Sequence, residues 1–374
     1  MKRPHLVNFL AIMTEESLAI RASMTMKDNP LLNLTLQEHK ELAVLAPKFP
    51  IQAYKLLSAH RFTILVIGLS KEHTETFRKT FESDAFGHIS FKIPLIGTKK
   101  ETEVLQIYEI GHSSGLQLIL GNYLPLKVYS PKKIVICDFD KTLVDTRYSS
   151  TREVYDSLTK AISEFPTIPK SLEMLHESIN KGYHPFILSA SPHFYEEAMR
   201  DWLYQKKVYS SGIFLKDYRH ILSLFEGELS PKDIKLQGLY KLGHLLDILL
   251  MTGLPDEIVL MGDNFESDPI IYLALAKMLR EDLEPWYIWK LLKAQKAFRP
   301  SRRQNSQFLN KIYQLTNLVA QHDKKNKSRP MIKIFIRKKA SETDINVPDE
   351  FSTQRHLIQL YDGPSKKEEA EASA

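Results

Sequence analysis

The chain has 374 residues, 43% of them hydrophobic and 26% charged, which leaves room for two domains with real cores and excludes a disordered protein. The lone cysteine, Cys137, excludes an intrachain disulfide framework, and no Cys/His cluster has zinc spacing. A formal net charge of +6 suits an acidic partner such as phosphate, lipid headgroup or nucleic acid without choosing among them.

LVNFLAIM (6–13) is too short to cross a bilayer, and TEES follows where a cleavage site would need small residues, so a soluble cytoplasmic protein is expected. Next come β-branched or alternating runs at 16–26, 61–69, 87–96, 103–111 and 115–130, with SDAFG (83–87) as a turn feeding the third. Between the first two, residues 39–60 have helical spacing broken at Pro47 and Pro50. Successive strands without regular helical crossovers predict a small β-sandwich-like domain over 1–130.

From Ser130-Pro131 the rhythm changes to strand, helix, strand, with apolar runs at 134–139, 184–190, 212–215, 257–263 and 331–337. Continuous apolar strands alternating with helices predict an α/β domain over 131–340, built on a parallel sheet covered on both faces. A basic helical insertion occupies 280–330, where twelve Lys or Arg face four Asp or Glu and Trp286, Tyr287 and Trp289 lie near the start. The remainder, 341–374, reads as a tail whose end, GPSKKEEAEASA, is expected to be disordered.

Asp138 and Asp140 close the first apolar strand, and period-two spacing aims both at the crevice beyond the sheet's carboxyl end. Two like charges held there cost energy unless a cation lies between them, and Mg²⁺ is the simplest one. Asp263 ends another apolar strand with Asp268 five residues later, so these carboxylates can converge with Asp138. Ser189 ends the strand FILSAS, and Lys241 lies in a helix ahead of the Asp263 strand, with Lys232 and Lys235 as nearby rivals.

Taken in order, DFDKT (138–142), Ser189, Lys241 and GDNFESD (262–268) resemble the four signatures of the haloacid dehalogenase superfamily of aspartate-nucleophile phosphatases. Within it, the stretches around 165–203, IFLKDY, YKLGHLLDILL and IVLMGDNFESDPIIYLALA look like the catalytic domain of the phosphatidate phosphatases first described as actin-patch proteins. That family also carries a small β domain upstream, and strand 331–337 is similar to its closing I-Y-I-R. Ala190, Lys141 and Tyr240 depart from the family's pattern, at positions near the substrate but not at reacting groups.

The resemblance implies a Rossmannoid sheet with a small cap and a Mg²⁺-dependent phosphomonoester hydrolase. Asp138 would be the nucleophile and Asp140 the general acid and base; Thr142, Ser189 and Lys241 would hold the phosphate. The metal would be held by Asp138, the main-chain carbonyl of Asp140 and Asp263, with Asp268 either ligating or orienting. The expected substrate is a phosphorylated lipid, cleaved to diacylglycerol and phosphate, with peripheral contact to the inner membrane surface through 286–303. Three alternatives stand beside this: a phosphatase of nucleic-acid ends or proteins, a catalytically inactive binding module, and an aromatic stretch at 286–289 that simply packs on its own domain.

Overall fold

The computed structural model describes residues 2–28, 61–95, 101–111, 117–146, 162–192, 195–216, 238–264, 267–295, 298, 300, 302–325, 328–339, 345 and 347–362. The helical spacing at 39–60, the rival lysines Lys232 and Lys235, and the tail end 363–374 lie outside them. The described residues form two compact units, one ending at Tyr129 and the other beginning at Ser130.

The first unit holds strands β1 (Lys2–Met13), β2 (Ser17–Asp28), β3 (Thr63–Leu69), β4 (Glu75–Glu82), β5 (His88–Pro94), β6 (Val104–Glu109), β7 (Leu118–Tyr123) and β8 (Leu126–Lys127). They make two four-stranded sheets, β5-β2-β1-β8 and β4-β3-β6-β7, antiparallel except where β8 joins β1. Met13, Leu18 and Ile20 from one sheet and Ile64, Val66, Leu105 and Ile107 from the other belong to a single buried cluster, as alternating strands facing each other require. The octet at 6–13 is therefore part of a sheet strand, turned into β2 by Thr14, whose hydroxyl oxygen accepts the N–H of Glu16 and of Ser17. The run expected at 115–130 splits into β7 and β8, which belong to different sheets.

The second unit is α/β. Its strands are β9 (Lys133–Asp138), β10 (His184–Pro192), β11 (Gly212–Lys216), β12 (Glu257–Asp263), β13 (Met331–Lys338) and β14 (Ile358–Asp362). Its helices are α1 (Pro169–Asn180), α2 (Glu196–Gln205), α3 (Gly238–Thr252), α4 (Asp268–Arg280), α5 (Pro285–Ala294) and α6 (Arg302–Lys324). All six strands are parallel, in the order β11-β10-β9-β12-β13-β14. Consecutive residues of the central strand such as Ile134, Val135 and Ile136 point to opposite faces and are all buried, so both faces are covered there, whereas β13 alternates exposed and buried residues. Residues 341–362 are not a tail throughout: Asp349–Leu357 forms a 3-10 segment, and β14 extends the sheet beside β13.

Chain order reverses between β9 and β12. In a doubly wound sheet that switch point opens a crevice at the carboxyl ends of the strands, and the residues ending those two strands are Asp138 and Asp263.

Candidate active site

Beyond Asp138 the chain turns sharply. The N–H of Phe139 still donates to the carbonyl of Leu188 at 2.9 Å, and the N–H of Leu143 and of Val144 then donate to the carbonyl of Phe139 at 2.9 and 3.2 Å. Lys141 occupies the left-handed region at φ +60° in the middle of this turn. The Phe139 ring lies edge-on to Trp202 at 5.2 Å and anchors the turn in the core.

The turn separates the two carboxylates that the spacing aimed the same way. Asp138 is the last strand residue and faces Lys241, whose ammonium lies 2.8 Å from its Oδ1 and 2.7 Å from Oδ1 of Asp268. All three side chains are essentially closed to solvent. The hydroxyl of Thr142 approaches Oδ2 of Asp138 at 3.4 Å. Asp140 lies past the strand end and accepts instead the hydroxyl hydrogens of Ser189 at 2.6 Å and of Ser191 at 3.5 Å. Repulsion within the pair is thus relieved by different partners rather than by a common one.

Asp263 is brought to Asp138 by strand pairing and to Asp268 by the turn into α4. Its N–H donates to Oδ2 of Asp268 at 3.4 Å. Glycine at 262 makes this approach possible, because a Cβ there would stand 2.5 Å from Oδ2 of Asp268 and 2.8 Å from the Tyr272 ring. Carboxylate oxygens of Asp138, Asp263 and Asp268 lie within 4.8 Å of one another, all buried. With Asp140 beside them, four carboxylates share a buried crevice with the Lys241 ammonium. Buried carboxylates that converge this closely are stable only when their charge is offset, and an all-oxygen donor set of this kind fits a hard divalent ion. The carboxylate of Asp140 is not in the converging group of three.

Every anticipated site residue therefore reaches one crevice: Asp138, Thr142, Lys241, Asp263 and Asp268 around the carboxylate cluster, and Asp140 with Ser189 at its edge. His184 does not reach it, since it begins β10 at the opposite end of the sheet, and burial holds its pKa below the usual histidine value. His193 lies outside the described residues. Cys137 is a buried thiol whose pKa is pushed well above its ordinary value, first by burial and then by Asp138, so it packs as an apolar group.

Several groups near the site were not singled out by the sequence. Arg337 pairs in register with Asp263 and is 3% exposed; its guanidinium donates to the carbonyl of Lys141 at 2.7 Å and lies 3.5 Å from Asp145. Lys339 adds a second cation to Asp145 at 2.7 Å. Burial would raise the Asp145 pKa, but Lys339 and then Arg337 outweigh it and hold the carboxyl below its ordinary value. Tyr195, at the start of α2, is buried, and its hydroxyl pKa is raised first by burial and then by Asp140. Lys216 ends β11 with its ammonium 5.7 Å from the centre of the Tyr240 ring. An arginine closing the apolar run MIKIFIR was the available signal for Arg337; nothing in the spacing connects it to a turn 196 residues away.

Residues 133–290, less than half of the chain, match the family model described as phosphatidate phosphatase APP1, catalytic domain, in agreement with the resemblance read from the motifs. No curated protein matches the chain. Among solved structures, a calcium-binding mutant of Bacteroides uniformis beta-glucuronidase 2 aligns at 10% identity and TM-score 0.26, covering 99% of this chain and 38% of that one. The Parabacteroides merdae beta-glucuronidase with glycerol in its active site aligns at 10% identity and TM-score 0.25, covering 89% of this chain and 34% of that one. Likenesses this distant carry no argument about fold or function.

Proposed function

We propose, from the match of residues 133–290 to that catalytic domain, that this chain is a phosphatidate phosphatase of the haloacid dehalogenase type, releasing phosphate from a lipid phosphomonoester. The observation that carries the reading is the buried Lys241 ammonium between Asp138 and Asp268, in a crevice at the switch point of a parallel sheet.

In this reading a carboxylate oxygen of Asp138 attacks phosphorus, the Asp138 O–P bond forms, and the bond from phosphorus to the lipid oxygen breaks. Asp140, when protonated, gives its proton to the departing lipid oxygen, which leaves as diacylglycerol. Asp140 then takes a proton from the water that attacks phosphorus, and inorganic phosphate is freed with Asp138 regenerated. In the free site, hydrogen bonds from Ser189 and Ser191 place Asp140, and the Ser189 hydroxyl turns from it to the phosphate when substrate binds. Lys241, Thr142 and Ser189 supply donors to the equatorial oxygens, where charge spreads in a loose transition state.

Asp138, Asp263 and Asp268, with the main-chain carbonyl of Asp140, would hold a Mg²⁺ ion. When bound, it supplies positive charge that screens the approach of one anion to another. Arg337 holds the Lys141 carbonyl and so keeps Asp140 and Thr142 on the correct sides of the turn.

The test is phosphate release from phosphatidate in mixed micelles, with Mg²⁺ and after chelation, beside a 3′-phosphorylated oligonucleotide. Release from phosphatidate that stops on chelation supports the reading. Release from the oligonucleotide alone moves the substrate to nucleic acid, and no release from either contradicts an enzymatic site.

A further inference from the structure

Helix α5 divides its aromatic residues between two environments. Trp289 is buried, stacked on Phe308 of α6 at 5.6 Å with its indole N–H donating to Asn305 at 2.8 Å; Ile288 and Leu292 are buried with it. This part of the stretch packs on its own domain. Trp286 and Tyr287 do not, and are 55% and 45% exposed. Two large rings half open to water beside each other are an apolar surface whose covering would be favourable.

The surroundings of the rings say what would cover them. Lys290 and Lys293 are exposed on the same helix, and the Lys290 ammonium lies 5.6 Å from the centre of the Trp286 ring. From Pro285 to Lys311 the chain carries seven Lys or Arg and no Asp or Glu. Of the acidic residues just ahead, Glu281 and Asp282 are paired with Lys277 and Arg329, and Glu284, directly before Pro285, is exposed and outnumbered by the lysines that follow. The face therefore complements an anion, and indole and phenol rings interleaved with lysines have the composition of a helix lying at headgroup depth. A partner recognised through its phosphates alone would use the lysines and leave the rings without a role; a single strand, which stacks bases on such rings, is separated by the experiment below.

Position supports the same conclusion. Lys241, near the start of α3, marks the site end of the sheet, and Phe308 and Lys311 of α6 lie against Gly243 and Asp247 of α3. Helices α3 and α6 thus run in the same direction, and α5 packs on the half of α6 nearest the site.

We propose that the face of α5 bearing Trp286, Tyr287, Lys290 and Lys293 docks on an anionic bilayer and holds the site at the surface where a lipid phosphate is presented. The role of the docking rests on the lipid phosphatase reading; the docking itself is measured without it.

The experiment is co-sedimentation of the full chain with phosphatidylcholine vesicles, with and without phosphatidylserine and in both cases free of phosphatidate, so that turnover plays no part. Wild type binds the anionic vesicles and the neutral ones weakly. The double variant Trp286→Ala, Tyr287→Ala loses about tenfold or more in partitioning, the size expected for two partly buried rings. The double variant Lys290→Gln, Lys293→Gln loses at least about tenfold on anionic vesicles alone, since each lysine near such a surface contributes roughly fivefold. Neither change alters the circular dichroism spectrum, as all four side chains are exposed. Absence of wild-type sedimentation, or equal sedimentation of the ring variant and wild type, overturns the docking. So does a ring variant that loses affinity for a single-stranded oligonucleotide while keeping its affinity for vesicles. Vesicle binding that behaves as predicted, in a chain that releases phosphate from no phosphomonoester, sustains the docking and contradicts the site reading instead.

Discussion

The ammonium of Lys241 lies 2.8 Å from Oδ1 of Asp138, with both side chains closed to water. Breaking a buried pair by removing one partner costs about 3–5 kcal/mol, because the charge left behind has lost its compensation. Lys241→Met should therefore lower the thermal midpoint of the α/β unit and reduce kcat at least a hundredfold, one donor to the transition state being lost as well. Calorimetry and steady-state kinetics on the same preparation check both. A stable and fully active variant would remove Lys241 from the site.

Gly262 tests the geometry of the carboxylate cluster. In Gly262→Ala the new methyl would meet Oδ2 of Asp268 at 2.5 Å, so Asp268 or the turn into α4 must move. Overpacking of this kind costs about 1–3 kcal/mol. The variant should unfold at lower urea concentration and need more Mg²⁺ for half-maximal activity. Unchanged urea and Mg²⁺ midpoints would mean that the turn is softer than its contacts imply.

The acidic crevice predicts that Mg²⁺ binds the folded chain apart from any turnover. A ligand that binds only the folded state raises stability with its concentration, so the thermal midpoint of wild type should climb as Mg²⁺ is added. In Asp263→Asn the climb should shrink or vanish, since a charged member of the converging group is gone. An equal rise in both proteins would place the ion elsewhere.

The structure also separates what pattern can show from what it cannot. Strands β9, β10 and β12 were legible because a strand buried on both faces is a continuous apolar run, and the residues near their ends marked the candidate site; β13, MIKIFIRK, alternates exposed and buried residues and was legible from its apolar half. Strand β4, ETFRKTFE, was not legible, because no residue of it is fully buried and its polar residues conceal the period. Strand β14 sits in a polar stretch and exists through pairing with β13 rather than through its own composition. Spacing brought Asp138 and Asp140 into one crevice but not to their different partners, since period two holds only while the strand lasts and Asp138 is its last residue. The exposure of Trp286 beside the burial of Trp289 depends on where Phe308 comes to lie.

Arg337 offers a prediction that pattern alone would not have suggested. Its guanidinium donates to the carbonyl of Lys141 at 2.7 Å, so it acts by positioning the turn between Asp138 and Thr142. Arg337→Met should lower kcat by about 10–100-fold, the usual cost of losing an orienting partner, with little change in KM. Arg337→Lys should recover part of the loss. A rise in KM at constant kcat would assign the guanidinium to substrate binding.

The most direct test of the central claim is a single-turnover reaction with phosphatidate labelled in its phosphate, quenched in acid and analysed by peptide mapping. The account predicts a transient phosphoryl group on Asp138 that forms before phosphate appears and is released by hydroxylamine. It predicts no label and no turnover in Asp138→Asn, and label that persists longer in Asp140→Asn, where the base for the second step is gone. Phosphate release without labelled Asp138, or full turnover by Asp138→Asn, would contradict it.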